Sequence, residues 1–135
     1  SVSYVSYEIT MQHIRTLNLL FSGTPQFRFN RHQNKLFLDI DWSLNETISY
    51  IPTDKIDSDI MKKLPPICGI AFVKKDYFKL GIVMAHEGYV LNRSNLVHAS
   101  SELKKTVNVD LLEYIKQDGT YRFDGAMFFK LAPIN

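Results

Sequence analysis

Several features that would assign a function class are scarce or missing in this sequence. It has one cysteine, Cys68, in 135 residues, so an internal disulfide and a cysteine-based zinc cage are both excluded. The sequence has 16 Lys and Arg residues and 14 Asp and Glu residues, which gives a net charge of +2. This small surplus does not indicate the basic stripe of a nucleic-acid-binding protein. The longest apolar runs, residues 69–73 and 81–85, are far shorter than the roughly 20 residues that cross a bilayer. We therefore expect no nucleic-acid partner and no membrane span.

Signals for metals and cofactors are equally scarce. The four histidines are scattered along the chain, and no two of them have the i, i+4 spacing that places two ligands on one helix face. No glycine-rich phosphate loop is present. The sequence therefore predicts neither a metal nor a cofactor.

Composition and length are those of one globular domain. The chain has a mass of 15.6 kDa and is 45% hydrophobic and 22% charged, which places it among ordinary folded domains. We expect a single domain over residues 1–135. The chain begins at Ser1 without an initiator Met or a signal sequence, and we interpret it as a mature or trimmed form, which leaves the compartment and the oligomeric state open.

The hydrophobic pattern predicts an α+β fold. Val2, Val5 and Ile9 repeat with helical spacing and predict an N-terminal helix over residues 2–20. Short helices are expected at residues 57–63 and 110–116, and a turn at residues 86–88. Strands are expected at residues 27–29, 36–40, 68–73, 80–85, 89–91, 96–99, 106–109 and 121–131. The expected architecture is one N-terminal helix packed on an antiparallel sheet of about five or six strands.

Several short segments, in this order, resemble one family. They are Ser1-Val2-Ser3-Tyr4-Val5, Asp41-Trp42, Leu80-Gly81-Ile82-Val83, Leu96-Val97-His98-Ala99-Ser100-Ser101, and Leu112-Glu113-Tyr114-Ile115. Together they resemble the N-acetylmuramoyl-L-alanine amidase-like branch of the NlpC-type, papain-like cysteine amidases of bacterial cell walls. The resemblance implies a papain-like domain and hydrolysis of a peptidoglycan amide through an acyl-enzyme. It also implies muropeptides as partners and a periplasmic or secreted location.

The catalytic positions that the resemblance implies are Ser1, Lys79 and His98. The family uses a thiolate at a helix N-terminus, where the helix dipole lowers the thiol pKa. A histidine then takes the proton, and a third polar residue orients that histidine. In this sequence the nucleophile position is Ser1, the base position is Lys79 and the orienting position is His98. Only His98 keeps the residue type of the family pattern.

Ser1 has three explanations that the sequence leaves open. It is a deliberate Cys→Ser change, a natural loss that makes this a degenerate enzyme, or a residue that follows the true nucleophile. The coincident replacement of the base by Lys79 favours the natural loss. A Ser–Lys dyad of Ser1 and Lys79 requires burial to lower the pKa of the lysine by several units. A further alternative is an N-terminal serine that uses its own α-amine.

Aromatic residues indicate where a ligand binds. By the same resemblance, Asp41, Trp42 and Tyr77 are candidate substrate-binding residues, although Trp42 also suits a core position. The alternative function is a non-catalytic binding or interaction module with a groove lined by Phe37, Tyr77 and Phe78. His86 is in principle a displaced base, but its place beside Glu87 favours an exposed residue in a turn. Cys68 is expected to be a buried, unreactive thiol.

Overall fold

The computed structural model describes residues 5–10, 45–78 and 83–132, and for residues 5–10 and 45–46 it describes the backbone alone. The chain divides into two units. The larger unit consists of Ser1–Val5, Ser49–Lys74 and Met84–Asn135, and the smaller consists of Ser6–Ile48 and Lys75–Val83.

Short strands dominate the described part of the chain. The strands are β1 (Val5–Thr10), β2 (Asn45–Pro52), β3 (Ile67–Val73), β4 (His86–Leu91), β5 (Asn95–Ser100), β6 (Lys105–Asp110), β7 (Lys116–Gln117), β8 (Thr120–Tyr121) and β9 (Gly125–Lys130). The helices are a 3-10 turn (Thr53–Lys55), α1 (Ser58–Lys62), α2 (Lys75–Phe78) and α3 (Leu111–Tyr114). Within the described ranges, no helix is long and apolar enough to span a membrane.

The predicted α+β, papain-like architecture with an N-terminal helix is wrong. Residues 5–10 form strand β1, and the rest of the predicted helix lies outside the described residues. The reason is visible in the sequence, because Val5, Tyr7 and Ile9 alternate with polar residues in the two-residue period of a strand. The β-branched Val5 and Ile9 also favour extended backbone. The helices that the structure describes have only three to five residues.

In the larger unit, an antiparallel sheet runs in the order β2-β9-β3-β4-β5-β6. The central strand β3 pairs with β4 on one side and with β9 on the other, so that Gly69 lies between Tyr89 and Phe129. A tight turn joins β4 to β5, in which Asn92 and Arg93 have φ values of 53° and 58°. Two successive positive φ values match the right-handed twist of the strands that such a turn connects. The predicted strands at 68–73, 96–99 and 106–109 are confirmed in β3, β5 and β6.

Two short helices cover one face of this sheet and close the core. In α1, Asp57 caps the N-terminus by accepting a 2.9 Å hydrogen bond from the Ile60 backbone N–H. In α3, Asp110 does the same for Glu113 at 3.0 Å, so both helices begin at a residue type that favours this role. The core they close consists of Ile51, Ile56, Ile60, Met61, Leu64, Cys68, Ile70, Phe72, Val90, Leu96, Leu111, Ile115 and Ala126.

In the smaller unit, β1 and the first four residues of β2 are extended, and α2 forms one helical turn. Phe78 at the end of α2 is fully buried. A fully buried ring cannot line an open groove, so the prediction that Phe78 lines one is wrong.

Candidate active site

Two histidines on neighbouring strands meet at one end of the larger unit's sheet. His86 begins β4 and His98 lies in β5, and His86 Nε2 is 2.8 Å from His98 Nδ1, within hydrogen-bond distance. The two rings are perpendicular, with centroids 4.9 Å apart. His98 is buried, with 7% of its surface exposed, and His86 is half-buried. The expectation that His86 lies exposed in a turn is therefore wrong.

Gly88 explains why sequence reasoning placed a turn at residues 86–88. The structure puts Gly88 inside strand β4, where a Cβ atom would lie 2.6 Å from the Val97 carbonyl oxygen and 3.0 Å from His98 Cβ. The glycine is needed because the two strands approach closely here, not because the chain reverses. A side chain at this position would push His98 away from His86.

Aromatic rings fix the orientation of both imidazoles. The His86 ring is nearly parallel to Phe72 and to Phe123, with centroid distances of 6.1 Å and 6.2 Å. The Tyr114 ring packs on His98, with centroids 4.5 Å apart. Phe72 and Phe123 themselves stack at 4.5 Å, so His86 is held against a rigid aromatic wall.

The segment 122–124, which carries Phe123, is tied down by hydrogen bonds to three other elements. Thr53 Oγ1 donates to the Phe123 carbonyl at 2.6 Å, and the Thr53 N–H donates to the Asp124 carbonyl at 3.0 Å. The Asp124 N–H donates to the Val73 carbonyl, and the Arg122 N–H donates to the Ile115 carbonyl. These bonds fix the backbone from which Arg122 and Phe123 project.

Burial disfavours the protonated form of both histidines. It lowers the pKa of His86, an effect that the neighbouring Glu87 carboxylate partly opposes. Burial also lowers the pKa of His98. The positive charge that His86 carries when it is protonated and the charge of Arg122 lower that pKa further, while a backbone hydrogen bond at Ala99 raises it. Two neutral imidazoles can share one N–H···N hydrogen bond, whereas two cations would present two donors to each other.

The histidine pair opens on a pocket of about 540 Å³, a size suited to a small molecule or a few residues of a peptide. Its wall combines the pair with the hydroxyl-bearing end of β5 and a set of charged and aromatic side chains. The lining residues are Lys74, Ala85, His86, His98, Ala99, Ser100, Ser101, Glu102, Leu103, Val107, Val109, Tyr114, Gln117, Tyr121, Arg122 and Phe123. Among the described residues there is no group of three or more His, Cys, Asp or Glu that could hold a metal.

Comparison with protein families assigns the chain to a family. The family model of the bacteriophage T4 neck protein gp13 matches residues 1–77, which is more than half of the 135 residues. The chain belongs to the bacteriophage T4 neck protein gp13 family. The matched segment of this neck protein family member ends before β4 and β5, so it includes neither histidine of the pair. No curated protein sequence matches the chain.

Solved structures similar to this neck protein family member come from Bacteroides. The "putative xylanase" from Bacteroides fragilis is 18% identical with a TM-score of 0.56, and the match covers 94% of this chain and 54% of that one. At this identity the similarity shows a shared fold alone.

Two crystal structures of a N-acetylmuramoyl-L-alanine amidase from Bacteroides uniformis ATCC 8492 also match. One is 28% identical with a TM-score of 0.49, covering 65% of this chain and 37% of the amidase. The other is 23% identical with a TM-score of 0.49, covering 96% of this chain and 55% of the amidase. The chain thus spans about half or less of the length of these solved structures.

The sequence-predicted site residues are only partly within the described region. His98 lies in the pocket wall. Tyr77 lies in α2 of the smaller unit with 37% of its surface exposed. Ser1, Lys79, Asp41 and Trp42 lie outside the described residues, so their roles stay predictions.

Sequence reasoning missed three residues of the site, namely His86, Tyr114 and Arg122. His86 carried a usable signal, because an alternating strand that begins at residue 86 places His86, Gly88 and Val90 on one face. Tyr114 and Arg122 had no such signal in the sequence, because they belong to a one-turn helix and a loop that only the tertiary fold brings to the histidines.

Cys68 is buried as expected, and burial raises the pKa of its thiol.

Proposed function

We propose that this chain is a peptidoglycan amidase-like hydrolase that cleaves an amide bond in muropeptides through an acyl-enzyme. The observation that carries the proposal is the 2.8 Å contact between His86 Nε2 and His98 Nδ1 on the wall of a 540 Å³ pocket. The resemblance of the Leu96–Ser101 segment to the amidase pattern supports the choice of substrate.

We assign different roles to the two rings, guided by their burial. His98, the more buried ring, accepts the His86 Nε2–H and orients His86, which is the role the resemblance implies for position 98. That hydrogen bond leaves His86 Nδ1 with its lone pair, so the half-buried His86 serves as the general base. Because burial lowers the pKa of His86, this nitrogen is unprotonated near pH 7 and able to accept a proton. His86 thus supplies the proton transfer that the resemblance would assign to position 79.

The proposed nucleophile is the hydroxyl of Ser1, at the position where the resemblance expects a cysteine. His86 takes the Ser1 hydroxyl proton as the oxygen attacks the amide carbonyl, and it then gives that proton to the leaving nitrogen. Water then attacks the resulting ester and gives a proton to His86. His86 returns this proton to the Ser1 oxygen as the ester bond breaks, which restores the Ser1 hydroxyl and releases the carboxylic acid. A serine is a weaker nucleophile than a thiolate, so we expect slow turnover.

The test is an assay of N-acetylmuramoyl-L-alanyl peptide hydrolysis, with products separated by chromatography and identified by mass. We expect His86→Gln and His98→Gln each to lower kcat by roughly 10²–10⁴-fold, the usual contribution of a positioned acid–base group. Lys79→Gln is the matched control and should retain activity. Ser1→Cys should raise the rate, because a thiolate forms far more readily than an alkoxide.

Two outcomes contradict this proposal. If Lys79→Gln abolishes turnover while His86→Gln does not, the base is the lysine. If the native chain and the Ser1→Cys/Lys79→His double variant both leave the peptide intact, with circular dichroism showing native folds, the site does not hydrolyse muropeptides.

The second candidate is a non-catalytic binding or interaction module. The match of residues 1–77 to the neck protein family favours it, because the name of that family describes a part of a phage particle rather than an enzyme. In this case muropeptide fragments should bind saturably in calorimetry, and mass spectrometry should recover them uncleaved from the native chain and from Ser1→Cys.

A further inference from the structure

Arg122 presents a cation to the pocket beside the histidine pair. Its guanidinium carbon lies 4.7 Å from the centre of the Tyr114 ring, and the other contacts of that ring include His98. The Arg122 side chain is 25% exposed, and its backbone is held by the hydrogen bond to Ile115. This cation–π contact holds the guanidinium over the Tyr114 ring, so its charge is positioned before any ligand arrives.

The hydrogen-bonding capacity of Arg122 is poorly used within the described part of the chain. Its Nη1 faces Glu102 Oε1 at 3.7 Å, which is an ion pair but too long for a hydrogen bond. Its Nε is buried and has no hydrogen-bond partner among the described residues. A guanidinium that has lost water without gaining hydrogen bonds attracts an anion more strongly than a hydrated one does.

Glu102 is a weak competitor for that charge. Its side chain is 68% exposed, so the carboxylate can turn to water at little cost, as exposed ion pairs contribute little. Lys74 lies on the same pocket wall, with its Nζ 6.0 Å from the centre of the Phe123 ring. When Glu102 turns away, the Arg122 charge faces the pocket.

We propose that Arg122 is the specificity-determining residue of the pocket and binds a free carboxylate of the ligand through its Nη groups, in place of Glu102. This inference rests on the proposed function for its choice of ligand, a muropeptide fragment. It adds that the preferred fragment carries a free carboxylate near the amide that His86 and His98 act on. An uncharged fragment of the same shape leaves the Arg122 charge unpaired and binds less well.

The experiment compares N-acetylmuramoyl-L-alanine with its uncharged α-carboxamide in calorimetric titrations of the full chain. We expect the native protein to bind the acid at least about tenfold more tightly, as for one charge-assisted hydrogen-bonded contact. Arg122→Gln should remove this preference by weakening acid binding alone. Arg122→Lys should recover only part of it, since an ammonium lacks the planar fork. Glu102→Gln removes the competing carboxylate at an exposed position and should strengthen acid binding.

Lys62→Gln is the control for net charge, because Lys62 is exposed on α1 and pairs only loosely with Asp59 at 4.0 Å. It should leave both affinities unchanged. Equal binding of acid and amide by the native chain overturns the inference. The inference also fails if Arg122→Gln lowers the affinity for both ligands equally.

The failures of the two proposals are distinguishable. His86→Gln should lower kcat by roughly 10²–10⁴-fold but keep the preference for the acid. A native chain that hydrolyses muropeptides but does not discriminate acid from amide overturns the role of Arg122 alone. A chain that discriminates them without hydrolysis overturns the enzymatic proposal alone.

Discussion

Acidification should destabilise this protein through the His86–His98 pair. Burial lowers the pKa of both groups in the folded chain, whereas in the unfolded chain each has the ordinary histidine pKa of about 6.5. Below that pH the unfolded state binds more protons than the folded state, so the free energy of unfolding falls as the pH falls. The stabilisation is fully present above about pH 7 and is lost progressively on the acid side.

The structure sets an upper limit on the size of this effect. Each proton that the folded state excludes contributes at most about 1.4 kcal/mol per pH unit. Two groups would give twice that value, but His86 is half-buried and the Glu87 carboxylate opposes its shift. For the buried His98, the charges of protonated His86 and of Arg122 lower the pKa further than burial alone does. We therefore expect a slope on the order of 1 kcal/mol per pH unit between about pH 6.5 and pH 5.

Urea unfolding at a series of pH values between about 5 and 8 measures this slope. The control is the double variant His86→Gln/His98→Gln, which keeps His13 and His32 and all carboxylates. Its slope in the same window reports every other titrating group, and we expect it to be clearly smaller. Equal slopes for the native chain and the double variant would refute the reasoning, because the pair would then exclude no protons on folding.

Two further predictions concern the packing that supports the site, and thermal or urea unfolding measures both. Gly125→Ala should cost about 1–3 kcal/mol, because its Cβ would overlap the Tyr50 ring and lie 2.7 Å from the Ile51 carbonyl oxygen. Gly69→Ala is its control and should cost less than about 0.5 kcal/mol, since the nearest atom is Phe129 Cβ at 3.5 Å. Phe72→Ala should cost about 3–5 kcal/mol, because the ring is 1% exposed in the core; a loss below about 1 kcal/mol would contradict its place there.

Local signals in the sequence predicted several of the short elements, although the predicted strand at 80–85 is not one over its described residues 83–85 and the predicted strand at 121–131 is interrupted at residues 122–124. The sequence predicts a helix at residues 57–63 that ends before Pro65, and the structure confirms it as α1 with Asp57 as its N-cap. The strand at 68–73 was readable as a compact apolar run, and it is the central strand β3. Both signals depend only on residues within or next to one element, so they predict that element without knowledge of the rest of the fold.

Ambiguous local signals produced the errors. Val5 and Ile9 fit a helical face and an alternating strand equally, and the structure decides for strand β1. Gly88 fits a turn and a close approach of two strands, and the structure decides for the close approach. Each choice depends on a partner strand, which local periodicity does not contain.

By itself, the sequence determined the balance of charge, the absence of an internal disulfide, the capped short helices and the apolar strands, because each is a property of composition or of neighbouring residues. Only the tertiary structure decided that His86 and His98 share a hydrogen bond, that Tyr114 packs on His98 and that the Arg122 guanidinium lies over the Tyr114 ring. Strand register and helix packing brought those four side chains together from separate segments. The pKa of each histidine depends on the burial and the charges that this packing creates.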